Sequence, residues 1–258
     1  MANTLIEKTA NRLVDAFINN KIIAPLPLKF TKKLKDAEKL RKLCESKVND
    51  EIIGFKAAGT GIPVMKKLKE KEPFYASIFK RNFLTSGKKV KINKSTLGIE
   101  LEVCYLIKKN FFNNKEKISF NNIAKYISHI APVIEVVGYR QKKQGITSFG
   151  DLCSDFGANV KFLIGKKIKY KKIDIGNLKT NISNKKIGQS VNGHTNTVFI
   201  NPLNSLKFVL NKIRKDKINL DKDFYVFTGS TVGVVPIQGK GTYLGKIDKL
   251  GSVKATIV

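Results

Sequence analysis

The chain has 258 residues, 42% of them apolar, enough for one large domain or a domain with a small appendage, and too apolar for wholesale disorder. No apolar run approaches the ~18 residues that a membrane span needs, and the start MANTLIEKTANRL carries Glu7, Lys8 and Arg12 where an export signal would carry an apolar core. Forty-nine basic against 20 acidic side chains leave a net charge of +29, which attracts polyanions without by itself marking a nucleic-acid reader.

Leu5, Leu13, Val14, Phe17 and Ile18 recur at helical spacing and predict an amphipathic helix over 3–20, broken by Pro25 and Pro27. A second helix is expected over 32–48, with Leu34, Ala37, Leu40, Leu43 and Cys44 on one face, so that 1–50 form a small helical portion ahead of a main domain over 51–258. EIIGFKAAGTGIP reads as a strand entering a glycine-rich turn, and LGIELEVCYLI as a stronger strand. Ser119 is placed to cap a short helix carrying Ile123, Ile127 and Ile130, which also takes in His129. VIEVVGY, VKFLIG and KKIDIG are expected to be strands, and NPLNSLKFVLNKIRKDK a helix with Pro202 in its first turn. From DFYVFTGSTVG onward, short strands alternate with glycine turns, and His194 falls in a Gly- and Asn-containing loop. Helices and strands do not alternate regularly, so the expected class is α+β, a mostly-β roll, rather than a doubly wound sheet.

The side-chain inventory narrows the chemistry. Only Arg12, Arg41, Arg81, Arg140 and Arg214 are arginine, the usual reader of base edges, while lysine is spread along the whole chain. No specific nucleic-acid partner is expected, and a basic nucleic-acid-binding protein stands as the non-enzymatic alternative. Cys44, Cys104 and Cys153 lack CxxC spacing, which argues against a disulfide framework or a cysteine zinc site and fits a cytoplasmic protein. Neither histidine has a Ser or Cys partner at a readable spacing.

Three carboxylates stand out. Alternation along a strand puts Glu100 and Glu102 on one face and Ile99, Leu101 and Val103 on the other. Glu135 lies in a second apolar strand, APVIEVV. Carboxylates buried among aliphatic residues cost several kcal/mol each unless paired or bound to metal, and an all-oxygen set suits a hard cation, Mg²⁺ or Mn²⁺. By spacing alone, a solvated face whose glutamates pair with lysines explains Glu100 and Glu102 slightly better. Lys56, between Gly54 and Gly59, is a candidate for proton transfer, with a pKa that partial burial would depress; in a chain with this many lysines an ordinary surface role is the competing reading. The turn Gly229-Ser230-Thr231-Val232-Gly233 offers N–H groups and hydroxyls to an anion, as ordinary turns also do.

Eight segments in order raise the specificity: the helical start, GFKAAGT, PFYASIF, IELEV, APVIEVVGYR, DLCSDFGANVKFLIG, INPLNSLKFVLNKI, and FTGSTVG with a Gly-rich tail ending in LGSV. Through them the chain resembles, over nearly its full length, the 2-keto-4-pentenoate hydratase branch of the fumarylacetoacetate hydrolase superfamily. The resemblance implies a mixed β-roll of that superfamily's C-terminal type with peripheral helices, and assembly into homo-oligomers. It implies a divalent cation, Mg²⁺ or Mn²⁺, on Glu100, Glu102 and Glu135, Lys56 as the catalytic lysine, and Ser230 and Arg140 beside a small anionic 2-oxo acid. The implied activity is a metal-dependent lyase working through a metal-stabilised enolate, most closely a hydratase, with a 2-oxo diacid decarboxylase or a C–C bond hydrolase as the alternatives on the same scaffold. The chain departs from the branch at Gly138-Tyr139, where Asp-Ser is common, and at Lys80-Arg81, where an acid is usual. Those departures bear on proton transfer and substrate choice, and leave the ligand set intact.

Overall fold

The computed structural model describes residues 4–142, 148–171 and 173–258. Two helices open the chain. α1 (Leu5–Asn19) begins at Thr4, whose hydroxyl accepts from the Glu7 N–H while the Glu7 carboxylate accepts from the Thr4 N–H, a reciprocal cap. It ends on Asn20 in the left-handed conformation. α2 (Leu34–Lys47) buries Leu40, Arg41 and Cys44. The two helices share one apolar cluster that also takes in Phe79 and Phe156, so this N-terminal portion is docked directly on the rest of the chain.

The main body runs β1 (Ile52–Ala58), α3 (Ile62–Lys67), β2 (Phe74–Phe79), β3 (Phe83–Thr85), β4 (Lys89–Val90), β5 (Thr96–Ile107) and β6 (Ile127–Gly138). It continues with α4 (Phe149–Ser154), β7 (Asn159–Ile164), β8 (Ile168–Lys169), β9 (Lys179–Asn184), β10 (Gln189–His194) and α5 (Pro202–Lys215). β11 (Phe224–Ser230), β12 (Gly241–Ile247) and β13 (Gly251–Ile257) complete it. The larger sheet has the order β2-β1-β11-β5-β6-β7-β3, with β8 beside β6; the smaller is β10-β9-β12-β13-β4. β1/β11, β3/β7 and β13/β4 pair in parallel among otherwise antiparallel ladders.

The sheets meet face to face. Ile99, Leu101 and Val103 of β5 enter one core with Tyr243, Val253 and Ala255. A side chain at Gly245 would come within 2.6 Å of Leu101 Cδ1, so the close approach of the two layers depends on glycine there. α5, capped by Asn201 and begun by Pro202, buries Leu206, Val209, Leu210 and Ile213 against β11 and β1. The result is the α+β, mostly-β roll that the sequence pattern predicts, with the mixed sheets and peripheral helices that the family resemblance implies. No helix among the described residues is long and apolar enough to cross a membrane.

Three local expectations are corrected. The helix after Ser119 is a single 3₁₀ turn, Ile123–Tyr126, and Ile127, His129 and Ile130 already belong to β6, paired with β5. The isoleucine spacing imitates a helix, whereas β-branched side chains fit the long ladder better. KKIDIG is not a strand among its described residues; Asp174 accepts from the Gly176 N–H and closes a turn. His194 ends β10 and its ring accepts from the Asn196 N–H, in a β9–β10 hairpin that sequence reading passes over.

Candidate metal centre

The pairing of β5 with β6 sets Glu100 directly opposite Glu135, and Glu102 one step along the same face of β5. Carboxylate oxygens of all three lie within 4.8 Å of one another. Glu102 and Glu135 are fully buried, and Glu100 keeps partial contact with solvent. β11 closes the other side of β5, with Ser230 opposite Glu102. From the end of β11 the Gly229 N–H donates to Glu102 Oε2 at 2.9 Å. A side chain at Gly229, where φ is 102°, would sit 2.0 Å from Thr60 Oγ1, so only glycine places this N–H against the carboxylate.

Lys56 reaches the cluster from β1. Its ammonium pairs with Glu135 Oε1 and donates to the Gly157 carbonyl at 3.1 Å. The expected depression of its pKa is overturned. Burial does act to lower it, but Glu135, then Glu100 and Glu102, outweigh burial and hold the ammonium above its ordinary value. The carboxylates are pushed the other way. Burial, opposed by Lys56 and reinforced by Glu100, raises Glu135 to about 7. Burial together with Glu135 and Glu100 drives Glu102 well above its ordinary value, and burial raises Glu100. One ammonium cannot neutralise three neighbouring carboxylates.

Two buried oxygens call for a cation. Glu102 Oε1 and Glu135 Oε2 have no hydrogen-bond partner among the described residues. Orphaned buried acceptors are expensive, and a hard divalent ion satisfies them while cancelling the charge excess. Glu100, Glu102 and Glu135 can therefore hold Mg²⁺ or Mn²⁺. The solvated-face reading of the glutamate pair fails on burial, because Glu102 has no exposed surface and the lysine present is buried with it.

Beside the cluster lies a cleft of about 170 Å³ that Lys56, Glu100 and Ser230 help to line, with Val64, Leu97 and Val234 giving it apolar walls. Ser230 donates its hydroxyl proton to the Gly233 carbonyl at 2.8 Å, holding the turn rather than projecting free. Arg140 is absent from this lining. Its Nη1 donates to Asp155 Oδ1 at 2.7 Å and to the Asp155 carbonyl at 3.0 Å, and its Nη2 donates to the Asn159 carbonyl. The expected substrate contact is thus corrected: these guanidinium donors are satisfied inside the protein. Gly157 and Thr60 support the site without having been singled out for it by sequence reading, whereas the Gly229 turn was read as a source of N–H groups for an anion and gives one to Glu102. DFGAN and the GTG turn were visible, but which backbone groups would face a carboxylate or an ammonium was not.

The two departures from the branch also have a place. A side chain at Gly138 would meet the Ser95 carbonyl at 2.6 Å. Lys80 pairs with Glu51 and Arg81 with Asp50 at the surface, and neither lines the cleft.

No protein-family model matches the chain. It is 24% identical over 214 residues to the 2-keto-4-pentenoate hydratase of Burkholderia vietnamiensis, covering 81% of this chain and 80% of that relative. Among solved structures it superposes on the 4-oxalocrotonate decarboxylase of Pseudomonas putida G7, complexed with calcium and acetate or with magnesium and adipate. The TM-score is 0.82 at 18% identity, over 100% of this chain and 99% of that one. The fumarylpyruvate hydrolase of Pseudomonas aeruginosa, in complex with Mn²⁺ and pyruvate, matches at a TM-score of 0.57 and 13% identity, over 82% and 93% of the two chains. The fold is shared with these solved structures and with a putative fumarylacetoacetate hydrolase family protein of Yersinia pestis, and the similarity in sequence is to a 2-keto-4-pentenoate hydratase. These relatives are a hydratase, a decarboxylase and a hydrolase, enzymes all.

Proposed function

We propose that the protein is a Mg²⁺-dependent lyase acting on a small 2-oxo acid, with hydration of a 2-hydroxy-dienoate of the 2-keto-4-pentenoate type as the leading reaction. The observation that carries this reading is the meeting of three carboxylates, two with orphaned buried oxygens, beside a buried ammonium at the end of a cleft. When bound, the cation supplies a Lewis acid for the keto and carboxylate oxygens of such a substrate.

The chain's own groups do the rest. Glu100, Glu102 and Glu135 fix the position of the charge, and the Gly229 N–H orients Glu102. Lys56, protonated and held by Glu135 and the Gly157 carbonyl, is the group at the cleft that can donate a proton to a carbanionic carbon. The apolar walls exclude water from the rest of the substrate, and the Ser230 turn borders its entry. The positive field of the whole chain favours capture of a small anion.

Decarboxylation of a 2-oxo diacid is the second reading, favoured by the full-length superposition on the decarboxylase and by the surface position of Lys80-Arg81, where the branch usually carries an acid. C–C hydrolysis is a third outcome on the same scaffold. Incubation with a 2-hydroxy-dienoate, an unsaturated 2-oxo diacid and an acylpyruvate, each with Mg²⁺, separates them by product. A hydroxylated acid supports the leading reading, CO₂ the second, and two carbon fragments the third. No Mg²⁺-dependent product from any of them overturns all three. The reading extends to a cytoplasmic homo-oligomer serving the breakdown of aromatic compounds.

A further inference from the structure

Among the described residues, a left-handed stretch of backbone lies beside the site. Phe156, Gly157 and Ala158 follow one another with φ of 52°, 66° and 58°. Side-chain-bearing residues adopt this left-handed region singly as a rule, and two of them flanking a glycine persist there only where surrounding contacts impose it. Those contacts centre on Arg140. Its guanidinium bridges the two ends of the run, the Asp155 carbonyl and carboxylate at one end and the Asn159 carbonyl at the other. Its own N–H adds a bond to Asp155 Oδ2 at 2.8 Å. Asn159 Nδ2 ties back to the Phe156 carbonyl at 2.6 Å, and Phe17 of α1 stacks on the Phe156 ring. The clamp leaves the Gly157 carbonyl free, and it accepts from Lys56 Nζ.

We infer that Arg140 is a positioning residue for Lys56: by clamping the left-handed run Phe156–Ala158 it aims the Gly157 carbonyl at the ammonium and fixes where that ammonium points into the cleft. This inference rests on the reading of Lys56 as the proton-handling group of a 2-oxo acid enzyme. A carbonyl acceptor on one side and Glu135 on the other leave the ammonium one further N–H direction. Lysine cannot take over from Arg140, because one ammonium lacks the planar fork that reaches both ends of the turn.

The test uses Arg140→Lys in the full chain and two readouts. The first is Mg²⁺-dependent deuterium exchange at C3 of 2-oxopentanoate, which reports proton transfer whatever reaction follows it. Arg140→Lys is expected to lower kcat for exchange about 100-fold, with KM and the Mg²⁺ dissociation constant within about threefold of the parent. The second needs no metal: reductive methylation with formaldehyde and cyanoborohydride, mapped by peptide mass. Lys56, 2% exposed, resists the reagent in the parent and is expected to react about tenfold faster in the variant, exposed lysines being unchanged.

A fall in exchange that comes through KM or Mg²⁺ affinity instead of kcat overturns the inference, as does unaltered protection of Lys56. If Arg140→Lys does not fold, Asn159→Ala, which removes the tie to Phe156 together with the side-chain bonds to the Ser77 carbonyl and Asn82 while leaving Arg140 in place, carries the same two readouts with the same expected pattern. Absence of exchange in the parent overturns the functional reading instead, while the metal-free protection experiment still decides the clamp.

Discussion

Glu102 shows what the site costs the protein. It is fully buried, has one oxygen on a backbone N–H and the other without a hydrogen-bond partner among the described residues, and faces two more carboxylates. Glu102→Gln keeps the shape and removes a charge, so the metal-free variant should be at least as stable as the parent in urea. Its response to Mg²⁺ should vanish, because the ligand set has lost an anionic oxygen. Normal Mg²⁺ affinity in that variant would remove Glu102 from the ligand set. Lys56→Met tests the other partner. Removing the ammonium takes away a repulsion for the cation, so Mg²⁺ should bind no more weakly, measured by calorimetry. Turnover should fall by about 10²–10⁴-fold, the usual worth of a positioned acid or base. Unchanged kinetics would exclude Lys56 from the chemistry.

At the scale of elements, the site is a consequence of register. Alternation along β5 was legible in the sequence, since Ile99, Leu101 and Val103 against Glu100 and Glu102 can satisfy only one inward face. That Glu135 stands directly opposite Glu100 was not, because register between distant strands is set by long-range packing that no local pattern encodes. Elements with strong periodicity, α1, α2, α5 and β5, fall where the sequence puts them. The β9–β10 hairpin was hidden because its residues KTNISN and QSVNGH are mostly polar, with Ile182 the one apolar side chain among those it buries. Arg140 was misjudged because residue type and position do not say which way a side chain turns; here it turns to Asp155. The β11 turn offers an element-scale test. Gly229→Ala places a methyl on Thr60 and strains a φ of 102°. It should cost about 2–4 kcal/mol in chemical denaturation, the sum of overpacking and left-handed strain, and weaken Mg²⁺ binding by loosening the N–H that orients Glu102. Wild-type stability together with wild-type Mg²⁺ affinity would show that the turn is tolerant and the N–H dispensable.

For the whole molecule, the carboxylate cluster couples folding to pH in a direction opposite to that of the surface. Exposed acids such as Asp15, Glu51 and Glu116 are held below their ordinary values, first by hydrogen bonds to lysines, and favour the folded state once they ionise in the acid range. Glu135 is raised instead, from 4.5 to about 7, and Glu100 and Glu102 move the same way. A carboxyl whose folded pKa lies above its unfolded one binds its proton more tightly when folded. Its contribution is complete below the unfolded value and is lost as pH rises through the folded one. For Glu135 that window is 4.5 to about 7, and at ~1.4 kcal/mol per unit the loss is on the order of 3 kcal/mol. The raised pKa of Lys56 does not enter, because its own window lies above its ordinary 10.5. Divalent ions require the same carboxylates ionised, so the cation competes with protons and offsets the loss. Thermal unfolding should therefore show the metal-free protein losing stability between about pH 5 and pH 8, where the exposed acids no longer titrate. Mg²⁺ at about a hundred times its dissociation constant should add about 2.7 kcal/mol at the upper pH, roughly 5–10 °C for a chain of this size, and little at the lower. Glu135→Gln should flatten both dependences, since it removes the carboxyl raised to about 7. Equal Mg²⁺ increments at the two pH values, or a pH slope unchanged in Glu135→Gln, would separate the cluster from the stability of the fold and leave its carboxylates without the charge competition that their burial requires.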